Sequence, residues 1–488
     1  MLLLIIGIPL LGAIITSLLS DGTTDEVKVK KVSLFISIFT FLCSVLLWGE
    51  FDNNAFTYQF GIGLSSIISD KIILGIDGLS LYLVLLTTFT FPICILAAWN
   101  NIVPPFGREV NIKYFYMLFL LLEALLICVF IVLDLLLFYV FFESVLIPLF
   151  LIVGIWGASI NRIRASFLLF LYTLFGSLFM LLAFIYMIWC AGSSNFAAIS
   201  TYDFSFNEQI ILFCSIFISF AIKTPLVPFH IWLPRAHVEA PLAASMVLAG
   251  LILKLAVYGF ARILIPFLPD ASGYLSPIVQ TVCLITLIYT SLTTIRQTDF
   301  KCLVAYSSIA HMAIVIIGLF SNTITGIEGA IILSLAHGFV SPALFMLVGG
   351  VLYDRYHTRT IRYYKGLTTM MPIFSILLFM FILGNMATPT SINWIGEFLC
   401  LNGAFQKNPI TALLMSISIV LSACYSIFLY NRLAFLGHSS YLSYPVDLNY
   451  REFMVLFSLF LPTFFFGLWP NILLTPMHCW ASSILYVI

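Results

Sequence analysis

"AIKTPLVPFHIWLPRAHVEAP", residues 221–241, decides how this chain is read. It puts a cation, Lys223, at the end of a long apolar run and follows it with Pro225, Pro228, Pro234 and Pro241. Pro225 cannot donate to the carbonyl of Ala221, and Pro228 cannot donate to that of Thr224. In hydrocarbon, carbonyls freed this way need protein or water partners. The stretch therefore predicts a membrane helix broken beside a buried lysine, with a hydrated pocket at the break.

Composition supports a membrane setting. The 488 residues are 62% hydrophobic and only 9% charged, too few charges to cover a soluble domain of this size. The 21 basic and 21 acidic residues cancel, so charge gives no lead toward nucleic acid or an acidic substrate. The ten cysteines stand singly in apolar runs without a CxxC or Cys/His cluster, which argues for packing residues and against an iron–sulfur site. No GxGxxG, Walker A or haem pattern occurs. His230, His237 and Glu239 lack HExxH spacing, so the expectation is no metal site. Asp77 and Asp134 fall near helix ends, where a structural role explains them as well as a functional one.

A bilayer core needs roughly 20 apolar residues per helix. By that measure the chain reads as an all-α polytopic membrane protein of about 14 transmembrane helices. The runs lie near 1–20, 32–49, 77–99, 113–131, 133–157, 165–190, 209–233, 242–267, 274–293, 302–320, 326–352, 370–400, 410–435 and 452–473. Basic residues test the assignment. Most Lys and Arg fall in alternate connections or at their edges, among them Lys28, Arg162, Arg164, Arg235, Lys301 and Arg355. The intervening connections and the run ends beside them take Lys71, Arg262 and Lys407, while Lys223 and Lys254 fall deeper inside runs. Basic loops face the cytoplasm or its organellar equivalent, so an even span count places both termini on the other side. The start, "MLLLIIGIPLLGAIITSLLS", reads as a span rather than a cleavable signal or a basic leader. That favours synthesis in a bacterium or inside an organelle.

The twelfth run, "LGNMATPTSINWIGEF", mirrors the seventh: both break at Thr-Pro, with Trp and an ionisable residue nearby. Paired interrupted segments are the mark of transporter repeats.

Other ionisable side chains share the apolar depth. Glu123 lies in "LLLEALLICVF", Glu143 in "FYVFFESVLIPLFLI" and Lys254 in "VLAGLILKLAVYGF". His311 lies in "YSSIAHMAIVIIG", His337 in "LSLAHGFVSPALF" and Glu397 in "NWIGEFLCL". A mid-membrane charge costs about 2.5–3.5 kcal/mol on insertion scales. Any one of these could be structural, and a scaffold whose ions only lock helices is a competing reading. As a set they form a polar chain suited to proton transfer. The proton affinity of a buried lysine depends on whether a carboxylate stands beside it. Moving Glu143 toward or away from Lys223 would then load or unload Lys223. Lys254, the histidines and water would pass the proton on, and Glu397 would hold it before release.

At "AIKTPLVPFHIWLPRAHVEAPLAASMVLAGLILKLAVYGF" the chain resembles the antiporter-like membrane subunits of respiratory complex I, a family shared with multi-subunit cation/proton antiporters. "GIDGLSLYLVLLTT", "DLLLFYVFFESVLIPLFLIVGIWG" and an acidic Glu397 on the twelfth run are similar to its subunit 4 (bacterial chain M) type. Arg235 and Leu242 depart from the pattern common in the family. The resemblance implies two inverted five-helix repeats, runs 4–8 and 9–13, with broken helices 7 and 12. The corresponding divisions are residues 1–112, 113–267, 268–435 and 436–488. It also implies a proton path on Glu143, Lys223, Lys254, His337 and Glu397, with Glu123 and His311 secondary. The parent complex would use NADH, FMN, iron–sulfur clusters and ubiquinone on other subunits, with no cofactor on this chain. Partners would be the subunit 2 and subunit 5 types and membrane lipid. The expected location is the mitochondrial inner membrane, with a bacterial plasma membrane as the alternative. A subunit of a cation/proton antiporter outside the respiratory chain is the competing family reading.

Overall fold

The computed structural model describes residues 1–19, 23–55, 57–64, 72–100, 111–435, 437, 439, 441 and 446–487. Two cations of the loop tally, Lys71 and Arg108, lie outside them. The helices begin with α1 (Leu2–Leu18), α2 (Thr23–Gly49), α3 (Gly78–Ala97) and α4 (Ile112–Ile131). There follow α5 (Leu135–Trp156), α6 (Arg162–Ala191), α7 (Phe206–Lys223), α8 (Trp232–Glu239) and α9 (Leu242–Phe267). The second half holds α10 (Pro269–Ile295), α11 (Phe300–Leu319), α12 (Ile324–Tyr356), α13 (Pro372–Asn385) and α14 (Ile392–Lys407). It closes with α15 (Pro409–Ala434), α16 (Tyr450–Leu468) and α17 (Asn471–Val487).

Among the described residues, 12 helices are long and apolar enough to cross a membrane. Two shorter apolar helices, α1 and α13, occupy two further predicted runs. The all-helical expectation needs one correction. Strands β1 (Gln59–Leu64) and β2 (Ile72–Ile76) form an antiparallel hairpin with Ile62 opposite Leu74. Its β-branched residues fell in a connection too short to attract a span, and the hairpin gains stability by docking: the Leu133 N–H donates to the Ile73 carbonyl at 3.1 Å. A second correction is α17, which starts at Asn471, just before the predicted end of the last run at 473, and continues to Val487.

The apolar windows of α9 and α12 are wholly buried, whereas those of α2, α6, α15 and α16 are mostly open to the surroundings. A helix apolar all round belongs in a core, and α9 and α12 fill that place. The most extensively packed helix pair among the described residues is α12 with α14. A Cβ on Gly396 would lie 2.7 Å from the Leu333 backbone, and one on Gly403 would lie 2.5 Å from the Cα of Gly326. Small residues let the two backbones touch, the packing that lipid-embedded helices favour.

Both broken runs appear. The seventh splits into α7 and α8, and the twelfth into α13 and α14, which extends to Lys407 rather than ending near 400. Each break is bridged by a wide i to i−5 bond, Leu226 N to the Ala221 carbonyl at 2.9 Å and Thr388 N to the Leu383 carbonyl at 3.2 Å. The carbonyl freed by Pro225 is thus taken by protein, one of the two kinds of partner the sequence reading allowed. Trp232 adds a second clasp by donating Nε1–H to the Ile222 carbonyl at 2.8 Å. The Val227 N–H donates to Thr286 Oγ1 on α10 at 3.2 Å.

Candidate functional site

Lys223 is the last residue of α7, and its side chain is buried. The negative end of the helix dipole suits a cation there. Its Nζ donates to the Phe142 carbonyl at 3.1 Å and lies 3.3 Å from the centre of the Phe142 ring. That carbonyl sits six residues before Pro148, and α5 deviates between them at Val145. Glu143 follows Phe142 directly, yet the described residues show no ion pair between it and Lys223. Its Oε1 is buried without a hydrogen-bond partner. The two groups predicted to exchange a proton are therefore neighbours held apart, with the cation resting on an aromatic face.

Lys254 lies fully buried in α9, between two π-helical turns at Leu248–Ile252 and Phe260–Leu264. Such turns widen a helix and often mark functional positions. The Lys254 Nζ donates to the Ala249 carbonyl at 2.7 Å and lies 2.8 Å from His337 Nδ1 on α12. A third wide turn, Met346–Leu352, follows in α12. The rings of His337 and His311 stand 5.9 Å apart between centroids. His311, on α11, meets Glu397 Oε1 on α14 through Nδ1 at 3.1 Å. The Nε2 atoms of both histidines are buried without partners. Four side chains from four helices thus stand in one line: Lys254, His337, His311 and Glu397.

Ser341, one turn beyond His337, places Oγ 3.4 Å from His337 Nδ1 while donating to the His337 carbonyl at 2.7 Å. The predicted secondary residues part company. His311 falls in the centre of the line, whereas Glu123 is fully buried against α2. There Thr40 donates to its Oε1 at 2.8 Å, and Oε2 has no partner.

Several ionisable groups were not singled out in sequence. Arg262, tallied with a loop, is instead buried in α9 and pairs with Asp77 at 2.5 Å. Asp77 also caps α3, exchanging hydrogen bonds with Ser80. The Arg262 Nε donates to Tyr258 Oη at 3.2 Å. Lys301, in the first turn of α11, is buried and donates to the Ala240 carbonyl at 3.0 Å. An arginine eight residues from a lysine on one apolar helix was the available signal for Arg262. Lys301 looked like an ordinary helix-end charge. Asp134 caps α5 through the Leu137 N–H at 3.0 Å and binds the Ser194 hydroxyl. His237 stacks on Phe345 at 4.4 Å, and His230 meets Tyr289 edge-on. Among the described residues no three His, Cys, Asp or Glu side chains converge as metal ligands would.

Protonatable groups buried side by side on neighbouring helices can hand a proton along without a cofactor. The comparisons agree with that chemistry. The family model described as "NADH:quinone oxidoreductase/Mrp antiporter, TM" matches residues 132–422. The chain is similar to NADH-ubiquinone oxidoreductase chain 4 of Mycosarcoma maydis, 60% identical over 487 residues, covering 100% of this chain and 99% of that one. It is also similar to chain 4 of Arabidopsis thaliana, 46% identical over 480 residues, covering 98% and 95%. Among solved structures it matches a chain of respiratory complex I from Thermus thermophilus at 28% identity and a TM-score of 0.89, covering 100% and 99%. With the family model spanning more than half of the chain and relatives aligned end to end, the chain belongs to the NADH:quinone oxidoreductase/Mrp antiporter transmembrane family, on the branch of the chain 4 subunits.

Proposed function

We propose that the chain is a proton-translocating membrane subunit of NADH:ubiquinone oxidoreductase, working from the mitochondrial inner membrane. End-to-end similarity to eukaryotic chain 4 proteins supports that assignment over a free-standing cation/proton antiporter. NADH oxidation by FMN, electron transfer through iron–sulfur clusters and ubiquinone reduction belong to other subunits. The neighbours in the membrane are the antiporter-like subunit 2 and 5 types. Residues 113–267 and 268–435 act as two inverted repeats around a fourteen-span body, and the matching breaks at Pro225 and Pro389 support this.

The observation that carries the reading is the line Lys254–His337–His311–Glu397 across α9, α12, α11 and α14. Glu143 and Lys223 form the loading station. When Glu143 approaches Lys223, the cation is stabilised; when it withdraws, Lys223 gives up its proton. Water or a swing of the Lys223 side chain bridges to Lys254. The histidines carry the proton to Glu397, and Glu123 holds a side position. Lys254→Met in the assembled complex, with proton uptake measured in sealed vesicles during NADH oxidation, tests this. Uptake at the wild-type ratio to NADH oxidised would falsify the assignment.

A further inference from the structure

Helix α8 ends where the chain cannot continue it. Pro241 has no N–H, and Ala240 before it is extended, with ψ at 144°. The carbonyls at this end therefore need partners from outside the helix. Arg359 Nη1 donates to the Val238 carbonyl at 2.6 Å, the Ala158 N–H to the Glu239 carbonyl at 2.9 Å, and Lys301 Nζ to the Ala240 carbonyl at 3.0 Å. Three consecutive carbonyls are thus held by three separate segments of chain. Two of the donors are cations at the negative end of a helix dipole.

The segments that bear those cations are stitched together. The Phe300 N–H donates to the Arg359 carbonyl at 3.1 Å, and the Ile361 N–H to the Thr298 carbonyl at 2.9 Å. A lysine at a helix start ordinarily extends its ammonium into water. Lys301 is instead buried, and its stem runs over Gly349 in the wide turn of α12. A Cβ on Gly349 would lie 2.6 Å from Lys301 Cε, so the missing side chain at 349 leaves the slot through which the lysine reaches Ala240.

Ala240 stands at the corner from which α9 sets out toward Lys254. Lys301 belongs to α11, which carries His311, and crosses α12, which carries His337. One ammonium thus joins the start of α9 to both of those helices.

We infer that Lys301 is a positioning residue for proton transfer: by gripping the Ala240 carbonyl it fixes the α8–α9 corner against α11 and α12, and so keeps Lys254 at transfer distance from His337. It acts as a hydrogen-bond donor and carries no proton along the path. The inference rests on the proton-path reading of Lys254 and His337.

Hydrogen–deuterium exchange on the assembled complex, read beside the protons moved per NADH oxidised, provides the test. Lys301→Met should speed exchange of the amides of residues 236–246 roughly tenfold, the factor that loss of one charge-assisted hydrogen bond gives in a local opening. It should also lower the proton ratio. Lys301→Arg should hold both readouts near wild type, because a guanidinium donates but does not release its proton. Gly349→Ala keeps the ammonium and pushes its stem aside, so it should fall between the two; it replaces Lys301→Met should that variant not assemble. Unchanged exchange overturns the grip. Faster exchange with a full proton ratio makes the contact a fastening without a part in transfer and overturns the positioning role. So does an arginine variant that keeps exchange slow but loses transport, since Lys301 would then be a proton carrier. Exchange is read without reference to transport, so failure of the grip is told apart from failure of the proton-path reading, which Lys254→Met tests separately.

Discussion

The Nζ of Lys254 lies 2.8 Å from Nδ1 of His337, so two basic nitrogens from α9 and α12 face each other with room for one hydrogen between them. When the ammonium holds it, Nδ1 accepts and the imidazole proton sits on Nε2. When it moves to Nδ1, Lys254 becomes a neutral amine without any heavy atom moving far. The contact is a transfer point as well as a fastening.

His337→Gln keeps a polar group of similar reach but cannot take and release a proton. It should leave assembly intact and lower the protons moved per NADH oxidised, with the transfer step slowed by roughly a hundredfold. Vesicle acidification measured beside NADH consumption separates the two rates. Unchanged stoichiometry would remove His337 from the path.

Glu397→Gln retains an oxygen acceptor for His311 at the 3.1 Å position while removing the titrating carboxylate. Assembly and thermal stability should stay near wild type, and transport should fail. A scaffold role predicts the reverse pattern for Glu397→Ala, loss of assembly with transport intact in whatever survives. Blue-native electrophoresis and vesicle assays on the same preparations distinguish them.

Asp77→Ala strands Arg262 as a buried, unpaired charge. Breaking such a pair costs about 3–5 kcal/mol. The variant should lower the thermal midpoint of the complex or its yield, and Asp77→Leu combined with Arg262→Met should recover most of the loss. Lack of recovery would mean that the pair contributes through something other than its charges.

Gly396→Ala places a methyl group 2.7 Å from the Leu333 backbone, so α14 must shift from α12. Overpacking of this kind costs about 1–3 kcal/mol. Because Glu397 is the next residue, the shift should also pull its carboxylate from His311. Transport should fall more than stability does. A variant with full transport and a lowered thermal midpoint would show that the α12–α14 contact tolerates movement at the site.

Much of the architecture was legible in the order of residues because the bilayer imposes a simple rule. Each spanning helix needs a long apolar run, and the breaks at Pro225 and Pro389 follow from missing amide hydrogens. Depth of ionisable residues was legible for the same reason. The hairpin and α17 were not, since short segments gain their structure from docking. Nor was the role of Arg262, whose partner Asp77 lies far away in the chain.

By itself, the sequence determined that this protein crosses a membrane many times, bends at two Thr-Pro points and carries protonatable groups in apolar surroundings. Local chemistry suffices for those conclusions, because apolar length, absent N–H donors and charged side chains are properties of contiguous residues. Only the tertiary structure decided that Lys254, His337, His311 and Glu397 stand in line while Glu123 turns to Thr40 and Lys223 rests on Phe142. Those relations depend on which helix faces meet, and that is set by the close approach of small residues between helices far apart in the chain.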